Sequence, residues 1–60
     1  MLRIEIEREE DGRWIGEVPA LPGSLAYGAT EAEARANVMA LAFRVIAERI
    51  EHGEPAPPSR

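Results

Sequence analysis

Cysteine, lysine and glutamine are absent from this chain of 60 residues, and histidine, asparagine, tryptophan, tyrosine and phenylalanine occur once each. Without cysteine there is no disulfide framework and no thiolate metal site, the two common staples of a mini-domain. No apolar run approaches the roughly 18 residues of a membrane span. The N-terminal MLRIEIEREE carries charges where a signal peptide would be apolar, so the expected location is the cytoplasm, with no membrane partner. Neither GxGxxG nor GxxxxGK[ST] occurs, and the arginines are scattered rather than clustered with stacking aromatics, which argues against a phosphate cradle or a nucleic-acid surface.

What remains is 45% hydrophobic and 30% charged, the balance of a chain that folds. A domain of this length buries only about 60% of the surface its unfolded chain exposes, so its own core is marginal. With disulfide and thiolate-metal staples excluded, association with another copy or another protein is the remaining way to bury apolar surface. The formal net charge of −4 disfavours nucleic acid and anionic membrane and favours a basic protein partner.

Leu2-Arg3-Ile4-Glu5-Ile6-Glu7-Arg8 alternates apolar with charged residues, the period of a strand with Leu2, Ile4 and Ile6 turned inward. Asp11-Gly12 predicts a tight hairpin in which both residues take positive φ. A second strand follows over Arg13 to Val18, with Trp14, Gly16 and Val18 on one face and Trp14 in the core. After the turn VPALPG, Ser24 to Gly28 reads as a third strand with Leu25 and Tyr27 on one face. Thr30-Glu31-Ala32-Glu33 is a capping box: the threonine hydroxyl accepts from the Glu33 amide, and the Glu33 side chain reaches back to the cap amide. The helix it starts runs to about His52 and ends at Gly53 in a left-handed conformation. The fold class is therefore α+β, a three-stranded antiparallel meander followed by one long helix, in a domain over residues 1–53. Residues 54–60, rich in proline, form an extended tail or at most a short fourth edge strand.

Two apolar stripes obey helical spacing. Ala32, Ala36, Met39, Phe43, Ile46 and Ile50 are expected to pack on the sheet. Ala34, Val38, Leu41 and Val45 lie well over 90° away around the helix and are the candidate homo-oligomer interface, the alternative being edge packing with a few exposed groups.

Catalytic chemistry finds little support. His52 falls in the last helical turn, where a cation suits the helix dipole, and Ser24 has no base partner suggested by the sequence. Glu7, Glu9, Glu10 and Asp11 supply oxygen ligands, but neighbours in a hairpin point alternately up and down and do not converge on one ion. The expectation is a non-enzyme with no cofactor and no metal site.

Glu9-Glu10-Asp11-Gly12, then Trp14, then Val18-Pro19-Ala20-Leu21-Pro22-Gly23, then Gly28-Ala29-Thr30-Glu31-Ala32-Glu33-Ala34, then Gly53-Glu54-Pro55-Ala56-Pro57, in this order and spacing, resembles the HicB-like antitoxin family over nearly the whole chain. The resemblance implies a βββα core of partial ribonuclease H-like type. It also implies a dimer or tetramer that neutralises a small basic HicA-type messenger-RNA-cleaving toxin by covering its active surface, without chemistry of its own. The operator-binding domain that full-length members carry is not part of the match, and Ser24 stands where the family often has cysteine. The candidate partner contacts are Pro19, Leu21, Pro22 and Tyr27, with Glu9, Glu10 and Asp11 beside them. The competing expectation is a self-assembling structural or small-ligand-binding domain that has lost its toxin.

Overall fold

The computed structural model describes residues 2–53, and the expectation of a fourth edge strand in residues 54–60 lies outside them. Three antiparallel strands, β1 (Glu5–Arg8), β2 (Trp14–Glu17) and β3 (Leu25–Gly28), are followed by one helix, α1 (Glu31–Glu51). The sheet order is β1-β2-β3, and α1 covers one face. This is the expected α+β arrangement.

The strands are shorter than the alternation suggests, for a reason in the register. Glu5 pairs with Glu17 and Ile6 with Gly16, so Arg3 would fall opposite Pro19, which has no N–H to give. Pairing therefore begins at Glu5, although Leu2 and Ile4 still pack against the core. The first hairpin also departs from expectation. Glu9 N–H donates to Arg13 C=O at 2.7 Å and Gly12 N–H to Glu9 C=O at 3.0 Å, which leaves a three-residue loop, Glu10 to Gly12. Gly12 has φ +92°, and among the described residues none other than glycine takes positive φ. Asp11 thus keeps an ordinary conformation, and a single glycine carries the left-handed step.

VPALPG is two turns in succession. Leu21 N–H donates to Val18 C=O and Ser24 N–H to Leu21 C=O, each at 2.9 Å, so a proline occupies the second position of both turns. Gly23, at φ +90°, is the third residue of the second, as a type II turn requires. The chain is folded inward between them: Val18 and Leu21 are completely buried, and Ser24 is 1% exposed.

At the start of α1 the Thr30 hydroxyl accepts from Glu33 N–H at 3.1 Å, as the capping box predicts. The Glu33 carboxylate reaches one residue further back than expected, accepting from Ala29 N–H at 2.8 Å. The helix ends as read, with His52 at its cap and Gly53 at φ +80°.

The face that α1 turns to the sheet is the opposite of the expected one. Ala34 and Val38, assigned to an oligomer interface, are completely buried, Ala42 is buried with them, and Leu41 and Val45 are half-buried. Phe43 and Ile50, assigned to the sheet, are 58% and 61% exposed, and Ala32 and Ala36 are exposed too. The cause is clearance. A Cβ on Gly16 would lie 3.0 Å from Val38 Cγ1 and 3.1 Å from Ala34 C=O, and one on Gly28 would lie 2.8 Å from the Glu33 carbonyl carbon and 2.9 Å from Ala34 Cα. The helix sits almost on the strand backbone, so only alanine and valine fit between them; of the bulkier stripe Phe43 and Ile50 are left outside, Met39 is half-buried, and Ile46 alone packs against the core as expected. Val18, Leu21, Val38 and Ala42 form the core, with Leu2, Ile4, Ala26, Val45 and Ile46 packed around it. Trp14 lies on the helix side but is only half-buried, at the hairpin end of the central strand β2 beneath the Arg8 guanidinium at 5.9 Å.

Candidate functional site

Alternation along the strands sends Ile6, Trp14, Gly16 and Ala26 toward α1, which leaves Glu5, Glu7, Ile15, Glu17, Leu25 and Tyr27 on the opposite, open face. That face divides in two. On the β1 side, Glu5, Glu7 and Glu17 surround half-buried Ile15 and, with Glu9, line an open groove of about 450 Å³. Glu5 and Glu17 are direct cross-strand partners, a like-charge juxtaposition that destabilises a sheet. Arg3 offsets part of this charge, donating from Nη2 to Glu5 Oε2 at 2.7 Å through an exposed pair. On the β3 side, Leu25 and Tyr27 are each 40% exposed.

Arg13 joins the hairpin tip to the aromatic half. Its guanidinium lies 4.5 Å from the centre of the Tyr27 ring, within cation–π range, while its Nε donates to Asp11 Oδ2 at 2.8 Å. The Arg13 backbone N–H donates to Asp11 Oδ1 at 3.0 Å. These two hydrogen bonds, the backbone one foremost, hold the Asp11 carboxyl below its ordinary value of 3.8. On the other edge of β3, Asn37 Nδ2 donates to Tyr27 C=O at 2.8 Å and fixes the strand to the helix.

The residues expected to contact a partner do not form one patch. Tyr27 and Asp11 are brought together through Arg13, Glu9 joins the acidic groove, and Glu10 is exposed at the hairpin tip. Pro19 and Pro22 are exposed on the double turn at the far end of β2 from that tip. Leu21 is a correction: completely buried, it is the plug of the turn rather than a contact. Glu5, Arg13, Ile15 and Glu17 belong to the face and were not singled out from the sequence, in which Glu7 stood only as a candidate oxygen ligand and Leu25 only as the strand neighbour of Tyr27. The alternation placed Glu5 and Glu7 in solvent, but their meeting with Glu17 depends on a register set by the hairpin loop.

Among the described residues no group of three or more His, Cys, Asp or Glu side chains is placed to hold a metal ion, and no helix is long and apolar enough to cross a membrane. His52 Nδ1 lies 2.8 Å from Glu48 C=O at the helix end, well apart from the acidic groove on the sheet. The open face sets localised negative charge beside an aromatic ring backed by arginine. Comparison with known protein families, curated proteins and solved structures returns no match.

Proposed function

We propose that the chain is a non-catalytic protein-binding module of the HicB-like antitoxin kind, whose open sheet face covers the active surface of a small basic HicA-type toxin in the cytoplasm. The observation that carries this reading is the opposition of Glu5 and Glu17 on β1 and β2, with Glu7 and Glu9 beside them. A sheet gains from opposite charges at such positions, so a like pair is a local cost that a basic partner reverses on docking. Tyr27, stiffened by Arg13, supplies a rigid amphipathic anchor next to the charge.

Charge reversal separates binding from folding. Glu17→Arg places opposite charges across β1 and β2 and raises chain stability by about 0.5 kcal/mol, read from urea unfolding. The same change weakens capture of a HicA-type ribonuclease and its relief of growth arrest on co-expression, and it flattens the salt dependence of association. If the wild-type chain forms no complex with a small basic HicA-type ribonuclease and relieves no toxicity, the antitoxin reading fails.

A further inference from the structure

The close approach of α1 to Gly16 and Gly28 has a counterpart at the other side of the sheet. Those glycines hold the helix over β2 and β3, and it only grazes β1. The sheet also stops early at that end, because pairing begins at Glu5 opposite Glu17, so Leu2, Ile4 and Val18 extend past its last rung. Between them and the helix an apolar groove of about 210 Å³ opens. Val18 and Ala42, both buried in the core, lie deepest in it, with Leu2 and Ile4 on one side and Met39 and Phe43 on the other. Arg35 stands at the rim, one turn before Met39 on the same flank of α1.

The lining selects the occupant. Apart from Arg35 every side chain in it is a hydrocarbon or a thioether, so the enclosed part of a ligand must be apolar. An apolar cavity of about 150 Å³ takes a benzene ring, and on that scale this groove takes about eight carbons. Arg35 is exposed and makes no ion pair among the described residues, although Glu31 lies one turn before it and lines the adjoining shallow hollow with it. A guanidinium without a counter-ion suits a carboxylate, which it can hold through two parallel hydrogen bonds. We propose that the groove binds a medium-chain carboxylic acid, with the acyl chain on Val18 and Ala42 and the carboxylate on Arg35.

The same register that leaves the groove open lets a ligand in. Leu2 and Ile4 precede the first paired residue, so that side can yield without breaking a ladder hydrogen bond. The acyl chain then enlarges a core that is small without it, and binding stabilises the folded chain. The groove lies on the helix side of the sheet, away from Glu5 and Glu17, and it stands whether or not the antitoxin reading does.

The test is a methyl-detected NMR titration of the full chain with octanoate, octanol, octylammonium and hexanoate, all below their micellar concentrations. Shifts are expected at Leu2, Ile4, Val18 and Met39, and the thermal midpoint rises with octanoate. Octanoate binds roughly fivefold more tightly than octanol, the worth of an ion pair at the surface, and at least tenfold more tightly than octylammonium. Hexanoate binds about tenfold more weakly than octanoate, or about threefold for each methylene lost. Arg35→Gln, at an exposed position, lowers octanoate affinity roughly fivefold and leaves octanol unchanged, with far-UV circular dichroism as in the wild type. No shift at the groove methyls with millimolar octanoate overturns the proposal. Equal affinity for octanoate and octylammonium, or wild-type affinity for octanoate in Arg35→Gln, overturns it as well.

Discussion

Ser24 is the residue at which the fold carries a cost with no return inside the chain. It is 1% exposed, and its Oγ has no hydrogen-bond partner among the described residues, although its backbone N–H is used in the double turn. Removing a buried, unpaired hydroxyl recovers its desolvation, so Ser24→Ala is expected to raise stability by about 1 kcal/mol in urea unfolding. Asp11 is the opposite case, an exposed group whose partners favour its charged form. Its carboxyl is lowered from 3.8, so the stability it contributes is fully present above that value and is lost as pH falls through the lower folded one. Between neutral pH and about pH 5 the Asp11→Asn chain therefore follows the wild type in slope, and it diverges only on the acid limb below about pH 4. An NMR titration of the Asp11 carboxyl that midpoints above 3.8 contradicts this. Both residues stood in view in the sequence. What could not be read there was that Ser24 is buried, because VPALPG looks like a surface loop until its two turns fold the chain inward.

Elements were readable where their signals are local, and misread where they depend on a register. The capping box and the left-handed glycine after the helix act over a few residues and appear within a residue of expectation, and the alternation of β1 ends where read although pairing starts three residues late, at Glu5. The helix face does not. Both stripes obey helical spacing, and the choice between them rests on Gly16 and Gly28, which the hairpin and the double turn bring under the helix from two different strands. Bulk then becomes a handicap, and the less hydrophobic stripe is the one buried. Gly28→Ala tests this directly: its Cβ would meet Glu33 and Ala34 backbone atoms below 3 Å, and backbone cannot swing aside like the end of a side chain. The expected loss is on the order of 3 kcal/mol, sufficient to unfold most of a domain this small. Thr30→Ala, which removes one cap hydrogen bond from the same helix start, costs only about 1 kcal/mol. Equal losses for the two changes would refute the close approach.

At the scale of the whole molecule the core formed by Val18, Leu21, Val38 and Ala42 is slight, and no disulfide reinforces it. Surface that a longer chain would cover with a second layer remains outside, on α1 as apolar side chains and on the sheet as carboxylates. The two faces differ in chemistry: the helix stripe is apolar, whereas the like charges of Glu5 and Glu17 on the sheet face are a local cost that the basic partner proposed above would relieve on docking.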